Sequence, residues 1–286
     1  MSQATYIANR QGERLFTVYA SADDAAAAGD LAVSVAMPAG ESGVAGAPDP
    51  RPPAQRPLAL LIHGFSDVHD SPHMRAALAG LQAAGYDVLR WDATNSWGRS
   101  GGSLELATWG NAVRDAEDVL EWACHQAWWR QPVTLAGHSL GAAVALTLAV
   151  ARPGLARRVI LVAPPASGRL MSKRLNPALR TLWWMTGRLP DRWPRRGQAR
   201  QYFRYQLLHD GLAYDGVKLA RRLTIPAAMI AAAADITTPP VHARLIYEAV
   251  PVAQQAGYIE VPDAGHVFSE HLPGLRAAVQ AAAQAL

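Results

Sequence analysis

The sequence predicts an α/β protein whose mostly parallel sheet is flanked by helices on both faces and interrupted by one mainly helical insertion. Three observations carry this expectation. Short apolar runs alternate with longer amphipathic runs through residues 58–163 and resume after 225, the rhythm of βαβ crossovers rather than of hairpins. Half of the 286 residues are hydrophobic, enough to cover both faces of such a sheet in one large core. Between 166 and 224 the alternation stops, and 13 Lys and Arg stand against 3 Asp and Glu, whereas the rest of the chain carries 14 against 20. The expected organisation is therefore a core of residues 1–165 and 225–286 with an inserted cap at 166–224.

Taken in order, stretches 14–19 and 31–36 have strand character and read as an edge hairpin, followed by a Gly- and Pro-rich exposed loop over 38–57. Residues 58–62, 86–91, 132–136 and 158–163 are short apolar runs of the kind buried strands require, with helical spacing at 74–84 and 109–125 between them. The 109–125 helix starts at Thr108, a good N-cap, and Ala112, Val113, Ala116, Val119, Leu120 and Ala123 form its apolar stripe. Its acidic residues Asp115, Glu117, Asp118 and Glu121 read as a solvated face. After the basic segment, residues 225–230 and 258–261 supply further strands, and a helix follows Pro273.

Composition also excludes several classes. Cys124 is the only cysteine, so an intrachain disulfide and a Cys-based zinc site are ruled out. No stretch approaches the roughly 18 apolar residues of a spanning helix, and the N-terminal residues lack a basic start followed by an apolar run, so a cytoplasmic location is expected. The net charge is +4, but no helix-turn-helix, zinc or RNA-binding motif accompanies it, and nucleic acid is not an expected partner.

Chemistry is concentrated at Gly137-His138-Ser139-Leu140-Gly141, which follows an apolar strand-like run and precedes the helix-like run 142–150. A serine at the apex of a tight strand-to-helix turn needs a strained backbone, and strand and helix can approach there only where glycines remove the Cβ atoms. A neutral serine is a weak nucleophile and needs a base, and a neutral imidazole base needs a group that fixes its tautomer. His266 follows the final strand after a glycine. Asp235 stands where the 225–234 strand opens into a loop, with Asp263, three residues before His266, as the rival acid. Of the other histidines, His138 is expected to pack within the elbow and His63 to order its own loop. The backbone amides of Leu140, at the helix N-terminus, and Phe65, in His63-Gly64-Phe65, are the expected donors to a developing oxyanion.

With the order Ser139, Asp235, His266 in place, the chain resembles the α/β-hydrolase fold serine hydrolases from about Leu58 onward. His63-Gly64-Phe65, the segment 91–102 and Ala234-Asp235-Ile236-Thr237-Thr238-Pro239 are similar to bacterial cinnamoyl esterase-like and serine aminopeptidase-like esterases and monoacylglycerol lipases. Those relatives often carry Gly-His-Gly-x-Ser-x-Gly where this chain has Ser96-Trp97-Gly98-Arg99-Ser100-Gly101-Gly102, which leaves the fold intact and loosens transfer of a substrate. The resemblance implies hydrolysis of short to medium acyl or aryl esters through an acyl-enzyme, with a small-molecule ester as partner and no metal or organic cofactor. Two alternatives compete with it. One is a lipase or lysophospholipase whose cap engages lipid, and the other is a binding protein on a hydrolase fold with its triad idle.

The segment 182–196 mixes Trp183, Trp184 and Trp193 with arginines, a combination that suits an apolar–aqueous boundary. One reading is a lid that contacts anionic lipid or guides a negatively charged ester. The plainer and favoured one is a solvated basic face whose tryptophans pack over the sheet and line an acyl pocket. Tyr202, Tyr205 and Tyr214 are candidates to touch substrate or simply to pack.

Overall fold

The computed structural model of the chain describes residues 3–22, 56–190 and 202–285. Its main sheet is built from β1 (Gln3–Ala8), β2 (Arg14–Ala20), β3 (Leu58–Ile62), β4 (Asp87–Trp91), β5 (Val133–His138), β6 (Ala156–Val162), β9 (Ala227–Ala232) and β10 (Gln255–Val261), in the order β1-β2-β4-β3-β5-β6-β9-β10. β1 and β2 are antiparallel, as are β2 and β4, and every later pairing is parallel. β2 forms a hairpin with β1, a strand not expected from the sequence, and the 31–36 half of the expected edge hairpin lies outside the described residues. β1 escapes notice in the sequence because, as an edge strand, it buries only Ile7.

The five-residue strands β3 and β4 are wholly buried, and successive side chains serve opposite faces. Leu60, Leu89, Leu135 and Val159 face α2 (Trp109–Ala123), α3 (Leu140–Ala151) and α8 (Pro240–Ala249), while Leu61, Val88, Ala136 and Ile160 face α1 (Pro72–Ala83) and α9 (Leu272–Gln284). The parallel strands all present their C-terminal ends to one edge of this sandwich, where open α/β sheets place their sites.

Thr108 does cap α2, accepting from the Asn111 amide. The helix's acidic face, however, is not solvated throughout. Asp115 is fully buried and accepts from the Thr94 amide at 2.7 Å and the Thr94 hydroxyl at 2.8 Å. Burial pushes its carboxyl up even though these donors pull it down. Asp118 is also buried and takes Arg10, through its amide at 3.0 Å and its Nε at 2.6 Å. The two carboxylates tie the β1–β2 turn and the loop after β4 to α2, a use of charge that helical periodicity does not reveal. In the same loop, Gly98 packs directly on Asp92 and Ser100 accepts from the Phe16 amide, so residues 92–102 brace the sheet edge.

Between β6 and β9 the chain forms α4 (Gly168–Lys173), α5 (Pro177–Thr186), the hairpin β7 (Arg188–Pro190) with β8 (Tyr202–Arg204), α6 (Tyr205–Gly211) and α7 (Gly216–Ala220). The two-stranded hairpin is an addition to the helices expected there. Among its described residues this segment contributes no strand to the main sheet, and it lies over the strand ends, held by specific contacts. Asp210 accepts from the Gly110 amide at 2.6 Å in the first turn of α2, where the helix dipole favours a carboxylate. Glu105 pairs with Arg188 at 2.9 Å and Arg204 at 3.2 Å, and Phe65 meets Phe203 edge-on at 5.3 Å.

Backbones also meet closely between β5, β3 and α3. A Cβ at Gly137 would overlap the Gly141 carbonyl, and one at Gly141 would overlap the Ile62 carbonyl. Both obstacles are backbone, which cannot rotate aside. Gly141→Ala is therefore expected to cost about 3 kcal/mol or more and to lower Tm by roughly 6 °C or more; a melting curve within about 2 °C of wild type would contradict this packing.

Candidate active site

Ser139 sits between β5 and α3 with φ 53° and ψ −118°, a conformation an L-residue adopts only when its surroundings impose it. The imposition comes from the Gly137–Gly141–Ile62 contact. Its effect is to lift the side chain off the strand end into a cavity and to leave α3 starting at Leu140, whose amide, like those of any first helical turn, has no intrahelical partner.

Three loops converge on this point. His266 Nε2 lies 3.1 Å from Ser139 Oγ, and His266 Nδ1 lies 2.7 Å from Asp235 Oδ2. Asp235, on the loop after β9, has a side chain with no exposure. Its Oδ1 accepts from the amides of Thr237 at 2.7 Å and Thr238 at 2.9 Å. Burial raises the Asp235 carboxyl, but the hydrogen bond and charge of His266 together with the Thr238 amide and hydroxyl outweigh it, and the group lies below its ordinary value. Asp263 is exposed and makes no hydrogen bond to His266 among the described residues.

Thr238 was not singled out by the sequence. Its hydroxyl is 2.9 Å from Asp235 Oδ2, 3.0 Å from the Ala163 carbonyl and 3.2 Å from His266 Nδ1. The one hydroxyl proton goes to one of the two oxygens, which leaves a lone pair facing the Nδ1–H. Asp followed by two threonines at a strand end was the available signal, since such loops fold back on their own carboxylate.

The loop after β3 approaches from the other side. His63 Nε2 accepts from the Ala93 amide at 2.8 Å, so its proton is on Nδ1, which donates to the Gly64 carbonyl at 2.7 Å. Gly64 lies so close to the elbow that a Cβ there would stand 3.3 Å from Ser139 Cβ. Phe65 and Leu140 both border the cavity at Ser139, and among the described residues neither amide donates to an acceptor. His138 is buried in the elbow, with Nε2 donating 2.9 Å to the His266 carbonyl and its ring 4.9 Å from that of His266. Burial, then the neighbouring His73 and His266, hold its imidazole well below the usual range and hence neutral.

The cavity above Ser139 has a volume of about 620 Å³. Met171, Leu175, Trp183, Leu207 and Leu208 of the 166–224 segment form much of its wall, and Trp183 is anchored by a 2.8 Å bond from Nε1 to the Phe203 carbonyl. Among the described residues, no Lys or Arg lines it despite the segment's charge. Tyr202, Tyr205 and Tyr214 do not line it either; Tyr214 packs on Trp109 at 4.9 Å. Trp193 lies outside the described residues.

The family profile described as serine aminopeptidase, S33 (Hydrolase_4) matches residues 53–215. A structure of Est1E from Butyrivibrio proteoclasticus with ferulic acid bound is similar at TM-score 0.75 and 16% identity, covering 97% of this chain and 96% of that one. A monoacylglycerol lipase from Paleococcus ferrophilus is similar at TM-score 0.63 and 19% identity over 80% of this chain and 95% of its own. A lidless α/β serine hydrolase from Xanthomonas campestris reaches TM-score 0.59 and 21% identity, covering 98% and 93%. The comparison with curated proteins returned no match.

Because the folded Asp235 carboxyl lies below its unfolded value of 3.8, it contributes stability that is complete above that value and lost as the pH falls from it through the folded one. In acid unfolding titrations, wild type is expected to lose stability more steeply than Asp235→Asn below pH 3.8. Equal slopes would show that the carboxylate is not held as described.

Proposed function

The chain belongs to the serine aminopeptidase (S33) family of α/β-hydrolases, and from that premise we propose that it cleaves carboxylic esters through an acyl-enzyme on Ser139. The observation that carries the reading is the continuous hydrogen-bonded line from Ser139 Oγ through His266 to Asp235, at the mouth of an apolar cavity. His266 Nε2 takes the Ser139 proton as Oγ adds to the ester carbonyl, while Asp235 and the Thr238 hydroxyl hold the other imidazole nitrogen and favour the imidazolium. The Phe65 and Leu140 amides receive the oxyanion. Collapse expels the alcohol, which takes its proton from His266, and a water activated by the same imidazole releases the acid and restores Ser139.

The cavity supports a neutral substrate with an apolar acyl or aryl portion. Its wall of Met171, Leu175, Trp183, Leu207 and Leu208 offers burial and no cation, and Asp67 at its edge disfavours an anion. The proposed role for residues 166–224 is accordingly a cap that shapes the acyl pocket. Est1E was solved with ferulic acid bound, which makes aryl esters a sensible first class to try. A second reading keeps one specific observation in its favour. On the outer face of α5, Leu182, Trp184 and Met185 are 49%, 66% and 70% exposed, a patch that would suit a lipid surface. Arg188 and Arg204 beside it are engaged by Glu105.

Wild type is expected to react with a fluorophosphonate probe and Ser139→Ala to show none of that labelling; a probe signal that survives the substitution sinks the proposal. Asp235→Asn should retain the fold and lower kcat by about 10³–10⁴. With p-nitrophenyl esters of increasing chain length, activity should peak at short to medium acyl groups and show no rise where the substrate begins to aggregate. An abrupt gain at aggregation, abolished by replacing Trp184 and Met185 with Ser, would favour the lipid-surface reading instead.

A further inference from the structure

Behind the elbow lies a group of ionisable side chains that ester hydrolysis does not use. Asp67, His73 and His138 each offer one ligand atom within 4.8 Å of the other two. The two imidazoles are only 5% and 4% exposed, and their nitrogens are poorly satisfied. His138 gives its Nε2–H to the His266 carbonyl, which leaves the Nδ1 lone pair bare. That nitrogen is buried without a partner and faces the 63–67 loop, where a Gly64 Cβ would come within 3.1 Å of it. His73 Nε2 stands 2.9 Å from Asp67 Oδ2, yet it too lacks a hydrogen bond of acceptable alignment. A plain His–Asp ion pair would point its N–H at the oxygen. A bare nitrogen on His138, a His73 nitrogen poorly aligned on its carboxylate and that carboxylate's oxygen, all within 4.8 Å of one another, are an arrangement that a cation's ligands can take.

We propose that Asp67, His73 and His138 bind one divalent transition-metal ion of the zinc class. Two imidazoles and a carboxylate suit that class, whereas magnesium and calcium prefer all-oxygen sets. Bonds of about 2.0–2.2 Å to a tetrahedral ion place ligand atoms roughly 3.4 Å apart, a spacing reached from the present one by small rotamer changes. The supporting features of a metal site are also here. The second nitrogen of His138 donates to a backbone carbonyl, as metal-bound imidazoles do. Asp67 and His138 both border the Ser139 cavity, which gives the ion an entry path and a water for the fourth position. Bound there, the ion joins the loop that carries Phe65 to the elbow and, through His138, to the loop that carries His266. The consequence is a stiffer site, with no part for the metal in the acyl-transfer steps.

Purified, metal-stripped protein titrated with Zn²⁺ is expected to bind one ion per chain and to melt at higher temperature when loaded. His73→Gln and Asp67→Asn should each weaken binding by at least about ten-fold. Exposed Cys124 and His125, whose Sγ and Nδ1 are 3.4 Å apart, form the rival surface site, and the Cys124→Ser/His125→Gln variant should bind as wild type does. If a ligand variant misfolds, the Co²⁺ adduct of wild type still decides the matter: nitrogen and oxygen ligands give d–d bands without thiolate charge transfer. Absence of stoichiometric binding, thiolate charge transfer in the Co²⁺ spectrum, or binding lost with Cys124 and His125 but kept without His73 overturns the proposal. None of these readouts depends on ester turnover, so they stand or fall apart from the proposed hydrolysis.

Discussion

The contact on which the rest of the structure depends is the backbone-to-backbone approach of β5, α3 and β3 at Gly137, Gly141 and Ile62. It holds Ser139 at φ 53°, a conformation costing about 1–3 kcal/mol for a residue with a side chain. That cost is borne because the strands and helix around it are almost wholly buried and have no looser way to pack. Relaxing the elbow would drop the serine back toward the strand, turn the Leu140 amide away from the cavity and break the 3.1 Å approach to His266. The position of one hydroxyl is thus set by a close contact among three backbones.

The second layer of order comes from polar groups buried with their partners. Asp235 is enclosed by two amides, a hydroxyl and an imidazole, so its orientation leaves His266 little freedom. The segment over the strand ends is held by part-buried Asp210 on the first turn of α2 and, at the surface, by Glu105 between two arginines. These anchors seat the segment with Met171, Leu175, Trp183, Leu207 and Leu208 toward the cavity, while Arg188 and Arg204 stay at the surface with Glu105. A segment carrying a large positive excess therefore lines the cavity, among its described residues, with apolar side chains.

Much of this was legible in the chain, for identifiable reasons. Buried parallel strands leave continuous apolar runs, and β3 to β6 announce themselves that way. The elbow is legible because its glycines are sterically obligatory and stand at fixed distance from the serine. Where sequence reasoning failed, the cause was long-range pairing. Asp115 and Asp118 look like solvated helix charges until Thr94 and Arg10 arrive from loops distant in sequence. β1 is an edge strand with one buried residue, too faint a pattern to register. Thr238 and the Asp67–His73–His138 group matter through their neighbours across the fold, which no local spacing encodes. The segment's charge left an anionic ligand open beside the favoured reading of a solvated basic face, because net charge does not say which way each side chain points, and Trp183 and Trp184, adjacent in sequence, differ sharply in burial.

The central claim is that the elbow exists to make Ser139 an acyl acceptor. Rapid acid quench of the enzyme with a slowly deacylating aryl ester, followed by peptide mass mapping, tests it directly. The expected result is a transient mass increase equal to the acyl group, on the peptide containing Ser139 and at no other serine. Steady turnover without any acylated Ser139 peptide would contradict it.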